Sequence, residues 1–336
     1  MNTRRQPWRL AFVLCVLAGL LAIAGCKQSA QTSNPECIAP AKPGGGYDLT
    51  CRLLASGLIK TKAIAKPMMV SYMPGGIGAV AYNHVNATRD HDSNLVVAAS
   101  TGAAMNLALG KFGQYDADAV RWLGAFAVDY GAIVVADDSR FKTLGDLVSA
   151  MKNDPQSVVF GSGGTIGSQD WMKVALVSKA AGVAPRDLRF VSYEGGGEAL
   201  SSLLGHHIDV YTGDLSELSG QIKGGQVRVL AALADKRLTG IYADIPTAKE
   251  QGYDIEWPTW RGFYMGPNVS DEAYNRWTER LKTLVASDTF QQMRRERGLF
   301  AEARIGSDFN DYVINQVAEF KQLAVEVGLR KPGDVE

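Results

Sequence analysis

The sequence is poor in the residues and motifs that most enzymes and metal sites need. It has only four histidines among 336 residues, and none of them stands at a usual zinc-ligand spacing. It contains no His-Glu-x-x-His, no Gly-x-Ser-x-Gly nucleophile elbow and no Walker loop. These absences argue against a metal centre, a hydrolase and a nucleotide hydrolase. We therefore expect no catalytic residues, no metal and no cofactor.

The chain also lacks an excess of charge of either sign. Lys+Arg and Asp+Glu number 35 each, so no net positive field is available to hold nucleic acid. The first 25 residues contain three arginines and no acid, which leaves the remainder with a formal charge of about −3. An acidic ligand would therefore have to be held by local groups.

The chain has a single long apolar run, and that run lies near its N-terminus. Residues Leu10–Leu21 follow a basic start, which is typical of an export signal and short for a membrane span. The run leads into Ile23-Ala24-Gly25-Cys26, which resembles the lipobox of bacterial lipoproteins. We expect residues 1–25 to be a signal peptide, Cys26 to carry a lipid and residues 26–35 to be a tether. An ordinary cleavage site near Cys26 is the alternative.

Cysteine is scarce, with four residues in the chain. Cys15 lies in the predicted signal and Cys26 is the lipidation candidate, which leaves Cys37 and Cys51 for an oxidising compartment. A bridge needs Cα atoms within about 7 Å, so the first helix would have to fold back along the first strand. We predict the Cys37–Cys51 disulfide, with two separate buried thiols as the alternative.

Short apolar runs alternate with amphipathic stretches along the rest of the chain. Such runs, when rich in Val and Ile, are typical of strands, and strand–helix alternation indicates an α/β fold with mostly parallel sheets flanked by helices. Asp48 is predicted to be the N-cap of the first helix. The predicted strands are Cys37–Pro40, Met68–Tyr72, Leu95–Ala99, Ala132–Ala136, Val158–Gly161, Leu188–Val191, Val210–Tyr211 and Val227–Leu233.

Two breaks in this pattern predict a division into lobes. One falls near residues 137–143 and the other near Pro258, and they enclose about 120 residues, an ordinary domain size. The flanking segments then have to fold together. We expect residues 36–136 plus 257–336 to form a discontinuous lobe 1 and residues 137–256 to form lobe 2, with a hinge where the chain crosses twice.

Glycine-rich turns follow several predicted strands and precede helices, at Gly44–Gly46, Gly75–Gly78, Gly161–Gly167 and Gly195–Gly197. Backbone N–H groups at a helix start have no intrahelical partner and meet the positive end of the helix dipole, so such turns bind carboxylate or phosphate. The alternative is that these glycines are needed only for tight turns and bind no ligand. Gly76-Ile77-Gly78-Ala79-Val80-Ala81 matches a dinucleotide fingerprint, but the acid expected about twenty residues later is missing.

Several motifs together resemble one known family. They are Ala39–Thr50 with Gly-Gly-Gly-Tyr-Asp, Met73–Gly78, Phe160–Asp170, Tyr193–Leu200 with Glu-Gly-Gly-Gly-Glu, Gly205–Val210, Gly224–Ala231 and Ile245–Thr247. In this order they resemble the periplasmic receptors of tripartite tricarboxylate transporters, the Bug-type extracytoplasmic solute receptors. The resemblance runs from about Cys37 to the C-terminus.

The resemblance implies a two-lobed, periplasmic-binding-protein-like fold with the ligand cleft between the lobes. Such a receptor closes on an organic di- or tricarboxylate and delivers it to integral membrane permease subunits. It implies ligand contacts from two glycine loops, with Ser100, Thr101, Glu194 and Asp214 near the same cleft. The residues carried over to the ligand site are Gly44, Gly45, Gly46, Tyr47, Asp48, Ser100, Thr101, Ser162, Gly163, Gly164, Thr165, Ser168, Gln169, Glu194 and Asp214.

The expected function is therefore that of a monomeric periplasmic receptor, anchored to a bacterial membrane through its N-terminal lipid. A carboxylate sensor that feeds a signalling kinase would share all of these residues and is the alternative. An enzyme acting on an organic acid is disfavoured, because no nucleophile–base pair or metal cluster is evident. Similar donor loops suit many organic acids.

Overall fold

A computed structural model describes residues 34–331 of the chain. The predicted signal peptide, the Cys26 lipidation site and nearly all of the tether lie outside the described residues. Within residues 34–331, the helices are all too short or too polar to cross a bilayer.

The described residues form ten strands and ten helices, joined by turns and short 3₁₀ segments. The strands are β1 (Glu36–Ala39), β2 (Met69–Tyr72), β3 (Leu95–Ser100), β4 (Arg121–Ala136), β5 (Val159–Gly163), β6 (Arg189–Tyr193), β7 (Val210–Asp214), β8 (Val227–Leu233), β9 (Pro258–Met265) and β10 (Arg304–Ile305). The helices are α1 (Gly46–Lys60), α2 (Ala79–Thr88), α3 (Thr101–Ala108), α4 (Leu144–Asn153), α5 (Gln169–Ala180), α6 (Gly196–Leu204), α7 (Ser219–Lys223), α8 (Asp271–Ala286), α9 (Asp288–Glu296) and α10 (Ser307–Glu326).

The first sheet contains the strands at the beginning of the chain. β1 pairs in parallel with β2 and β3, whereas β9 pairs antiparallel with β3 and with residues 121–130 of β4. Alternate residues of its inner strands enter two hydrophobic clusters, because side chains alternate across a strand. Cys37 and Val96 pack with α1 and α8, while Ile38 and Val97 pack with α2, α3 and α10. Helices therefore cover both faces of this sheet.

The second sheet begins where the first ends, within the same strand. Residues 131–136 of β4 pair antiparallel with β7 and β8, and β5 pairs in parallel with β6 and β7. Both sheets are therefore mixed and share β4, a continuous strand of 16 residues. We call the strands of the first sheet with α1–α3, α8 and α9 the first half, and those of the second sheet with α4–α7 the second half.

Helix α10 packs against both halves. Its residues Phe309 and Val313 lie in a core cluster of the first half. About two turns after Val313, Phe320 stacks on Trp257 of the second core cluster, with ring centroids 5.8 Å apart. The aromatic residues Phe309 and Phe320 of this helix are therefore part of the core packing of the two halves.

The predicted disulfide is confirmed. Cys37 in β1 and Cys51 in α1 are bonded, with their Cα atoms 5.6 Å apart. Both residues are completely buried, so the bridge fixes the helix against the strand inside the core.

The prediction that Asp48 is the N-cap of α1 is wrong. The helix begins at Gly46 with Gly45 as its N-cap, which places Asp48 in the first turn. From there its carboxylate accepts a hydrogen bond from the Gly44 N–H at 2.9 Å and also from Arg52 and Tyr72. Asp48 thus satisfies a backbone amide ahead of the helix from inside it, and supports the first glycine turn.

Candidate functional site

The first and fourth glycine turns touch each other across the two halves. A Cβ atom added to Gly197 would lie 3.1 Å from the carbonyl carbon of Gly44, and one added to Gly45 would lie 3.4 Å from the amide nitrogen of Gly196. The two turns meet backbone to backbone at these glycines. Bulkier residues here would hold the halves apart.

A cavity of about 40 Å³ lies beside this contact. It is lined by residues of both halves: Ala41, Gly45, Gly46, Tyr47, Ile77, Ser100, Gly163, Gln169, Asp170, Gly195, Gly196, Glu217 and Arg261. This volume is little more than one water molecule requires, so the halves are closely apposed in this structure.

The N-terminal ends of four helices converge on this inner cavity. Gly46 begins α1, Ser100 is the N-cap of α3, Gln169 begins α5 and Gly196 begins α6. The first amides of a helix have no intrahelical acceptor, and the helix dipole is positive at that end. Two of these helices belong to each half, so the inner cavity concentrates N–H donors and positive potential from both sides.

The structure brings together some of the residues predicted to bind a ligand. Gly45, Gly46, Tyr47, Ser100, Gly163 and Gln169 line the inner cavity. Gly44 and Asp48 line a second, outer cavity of about 320 Å³, which shares Gly45 of the first glycine turn with the inner cavity. Within these groups, Ser100 donates to the Tyr47 hydroxyl at 3.4 Å and lies 3.3 Å from the Gln169 side-chain oxygen.

Other predicted residues are occupied in supporting the turns. Thr101 accepts from the Trp260 N–H at 3.1 Å, and Ser168 caps α5 by accepting from the Trp171 N–H. The Gly164 carbonyl accepts from Ser192. Glu194 and Thr165 are exposed and do not line the inner cavity.

Ser162 is a distinct case among the predicted residues. Its hydroxyl is fully buried at the end of β5, and within residues 34–331 it has no hydrogen-bond partner. A buried hydroxyl without a partner loses solvation without compensation. Ser162 therefore keeps an unused donor next to Gly163 of the inner cavity.

Tyr47 forms part of the inner cavity wall. Burial raises the pKa of its hydroxyl, and the hydrogen bond from Ser100 only partly offsets this effect. The hydroxyl therefore stays protonated at any ordinary pH and is available as a donor.

A network of buried charges beside the inner cavity was not predicted from the sequence. Arg261 in β9 donates from Nη2 to Asp129 at 2.7 Å and to Asp214 at 2.9 Å. Lys173 in α5 donates to Asp170 at 2.7 Å and to Asp214 at 2.6 Å. Asp214 thus joins both cations, which explains why this predicted ligand residue is wholly buried.

The Arg261 guanidinium lies directly under the first glycine turn. A Cβ atom at Gly46 would collide with Nη1 of Arg261, so only glycine fits there. The Nε atom of Arg261 is buried and has no hydrogen-bond partner among the described residues. The side chain therefore both supports the turn and retains an unused donor.

The network contains more acids than bases. Glu217 joins it through Arg261, 3.6 Å away, so four carboxylates surround two cations. Burial raises the pKa of Asp129 and of Asp170, and it raises the pKa of Glu217 to about 7. For Asp214 burial acts in the same direction, but the attraction of Lys173 and Arg261 leaves its pKa lowered.

One signal in the sequence could have identified this network. Asp129 is the only acid in the apolar run of β4, Arg261 stands among aromatic residues of β9, and Lys173 follows Trp171 and Met172. Charged residues are almost never buried unless they are paired. A single charged residue inside an otherwise apolar run therefore predicts a buried ion pair, but its partner is not evident from the run itself.

A family model for the "Tripartite tricarboxylate transporter family receptor" matches residues 50–329. A relative from Agrobacterium vitis, the "UPF0065 protein in the TAR-I ttuE-ttuC' intergenic region", is 28% identical over 281 residues, which cover 82% of this chain and 78% of that protein.

Two solved structures share the fold. The periplasmic binding protein BugD has a TM-score of 0.80 at 20% identity, covering 88% of this chain and 97% of that one. The R. palustris protein Rpa4515 with adipate also has a TM-score of 0.80 at 20% identity, covering 89% and 99%. At these identities the likeness establishes the α/β fold of periplasmic binding proteins.

Proposed function

This chain belongs to the tripartite tricarboxylate transporter receptor family, a family of Bug-type substrate-binding receptors and not of enzymes, and from this premise we propose that it captures an organic di- or tricarboxylate for a membrane permease. The ligand is bound between the two halves and is delivered when the receptor docks on the permease. The adipate in a protein of the same fold agrees with a carboxylate ligand.

The convergence of four helix N-termini on the inner cavity carries this proposal. These ends supply backbone donors and positive potential without an accessible cationic side chain, which is what a dehydrated carboxylate requires. Because the donors come from both halves, an anion bound between them holds the halves together.

The residues proposed to contact the ligand are those at the glycine turns and their neighbours. Amides of Gly45–Tyr47 and of Gly163 and Gln169 bind carboxylate oxygens, and the hydroxyls of Tyr47, Ser100 and Ser162 complete the site. Asp214 accepts from the Gln169 side chain and Ser168 donates to the Gly163 carbonyl, so both support these groups from behind.

Ligand entry requires the halves to separate, because the inner cavity is too small for a dicarboxylate. We propose that they correspond to the lobes predicted above, residues 36–136 with 257–336 and residues 137–256, except that residues 131–136 belong to the sheet of the second half. Closure then bends β4 and the Trp257–Pro258 link that leads into β9, the two places where the chain crosses between them. The receptor works as a monomer in the periplasm, with the lipid on Cys26 as its membrane anchor.

Binding of purified protein to adipate, malate and citrate tests the proposal by thermal shift. A ligand at about a hundred times its Kd adds about 2.7 kcal/mol to the unfolding free energy, which raises the Tm by roughly 5 °C. Gly45→Val should abolish this shift, because the γ carbons of valine would press on Gly196. Its extended backbone, with φ of −100°, accepts valine without strain.

Gly220→Val is the matched control, since nothing lies within 4 Å of a Cβ atom at that position. It should keep the shift of the unmodified protein. The proposal is wrong if the folded protein responds to none of the three acids, or if Gly45→Val responds as the control does. Loss of carboxylate uptake on deletion of the gene separates transport from sensing.

A further inference from the structure

Glu217 occupies a special place between the two cavities. It lies in the 3₁₀ segment Leu215–Leu218 that follows β7, and it lines both the inner and the outer cavity. Gly45, from the first half, also lines both cavities. The carboxyl group of Glu217 therefore faces the ligand region from the second half.

Among residues 34–331, the contacts of Glu217 leave one of its oxygens without a hydrogen bond. Oε2 accepts a hydrogen bond from the Tyr211 hydroxyl at 2.7 Å. Oε1 lies 3.6 Å from Nη2 of Arg261, beyond hydrogen-bond distance. The fourth glycine turn is shaped around this carboxyl group, because a Cβ atom at Gly196 would collide with Oε2.

Burial disfavours the ionised form of Glu217, and its charged neighbours act in both directions. On the inner side Arg261 of β9 favours ionisation, whereas Asp214 of β7 and Asp170 of α5 oppose it. Asp129 of β4 and Lys173 of α5 lie behind them as partners of Arg261 and Asp214. Across the outer cavity stand Arg52 and Lys60 of α1 and Glu296 and Arg297 of α9. A ligand carboxylate at the helix N-termini would add one more negative charge close to Glu217.

We propose that Glu217 holds a proton in the ligand complex and donates it from Oε1 to a ligand carboxylate, so that the receptor takes up an organic anion and a proton together. The proton comes from solvent and no covalent bond changes. A carboxylic acid beside a carboxylate replaces a repulsion with a short, charge-assisted hydrogen bond. The inference depends on the proposed function, since a carboxylate must bind.

The ionisation behaviour of the free protein supports this assignment. Burial raises the pKa of Glu217 to about 7, so the group is partly protonated near neutral pH before any ligand arrives. A bound anion raises this pKa further. Binding then takes up a proton at any pH between the pKa of Glu217 in the free protein and its pKa in the complex. Affinity is therefore full below about pH 7 and is lost as the pH rises above it.

Calorimetry of adipate and malate binding tests the proposal, because both acids are dianions above about pH 6.5. The buffer supplies the proton that is taken up, up to one for each ligand bound. Titrations in phosphate and in Tris at about pH 7.5 should therefore differ in heat, because the two buffers have different ionisation enthalpies. The Kd should weaken by up to tenfold per pH unit between about pH 7 and about pH 9. Glu217→Gln, which is neutral and keeps a donor, should show equal heats and a flat pH profile.

Glu272→Gln on the exposed face of α8 is the matched control and should behave as the unmodified protein does. Equal heats in both buffers for the unmodified protein, or proton uptake that persists in Glu217→Gln, would overturn the inference while leaving carboxylate binding intact. An affinity that rises with pH would also overturn it, because it would show that binding releases a proton instead of taking one up. If neither acid nor citrate binds at any pH, the proposed function fails and this inference with it.

Discussion

Lys173 is completely buried, and its ammonium group is stable there because two carboxylates and the Gly213 carbonyl accept its hydrogen bonds. Removing one partner of a buried ion pair leaves the other charge without compensation, and this costs more than the pair itself contributes. The same reasoning applies to Arg261, whose Nη2 is shared by Asp129 and Asp214. At the scale of the residue, the network is therefore sensitive to the loss of any one member.

Lys173→Met should lower the unfolding free energy by about 3–5 kcal/mol at neutral pH, because Asp170 and Asp214 lose their cation. Urea denaturation measures the change. Lys179→Met on the same helix is the control, since Lys179 is exposed and lies 3.9 Å from Glu326. It should change the stability by less than about 0.5 kcal/mol. A similar loss in both variants would contradict the network's role.

Which site residues could be predicted also depends on their chemistry. The glycine turns were recognisable because the anion-binding property belongs to the backbone at a helix start, and a turn can be read locally. Arg261 and Glu217 were not, because their role depends on partners 44 or more positions distant, brought together by the pairing of β4 with β7 and β9. Spacing along the chain contains no information about such pairs.

The same distinction holds for whole elements. β8 was predicted over its observed range, Val227–Leu233, and β3 to within one residue, because each is a short aliphatic run bounded by polar or turn residues. β9 and the first part of β4 were missed, since glycine and charged residues interrupt their apolar runs. Their aromatic residues favour strands, and the pairing between the two strands completes them.

The disulfide acts at the level of elements because it joins β1 to α1 across 14 positions. Replacing Cys37 and Cys51 together by alanine should lower the unfolding free energy by about 3 kcal/mol, through the entropy regained by the unfolded chain. Urea denaturation with and without a reducing agent checks this. The reducing agent should destabilise the unmodified protein to a similar extent and leave the double variant unchanged. A difference below about 1 kcal/mol would contradict this estimate.

At the scale of the whole molecule, the two halves also meet through side chains at the rim. Lys42 of the first half lies 3.4 Å from Glu198 of the second, and both are about half exposed. An exposed ion pair contributes about 0–1 kcal/mol, so it adjusts the closed state without determining it.

Lys42→Glu should therefore weaken carboxylate binding by up to about fivefold, because two acids then face each other when the halves close. The double exchange Lys42→Glu with Glu198→Lys should restore most of the affinity. Isothermal titration with adipate at low and at high salt measures both, and the defect should shrink as salt screens the charges. If the double exchange binds no better than Lys42→Glu, Lys42 acts on the ligand and not on Glu198.

The continuity of β4 has a consequence for the assembly of the chain. An excised segment of residues 137–256 would leave behind residues 131–136, which lie between β7 and β8. Two bare strand edges would result, and such edges invite aggregation. Neither half can therefore be expressed alone as a stable domain. No single cut in the gene gives two products that each fold, so the two halves have to be encoded and synthesised as one chain.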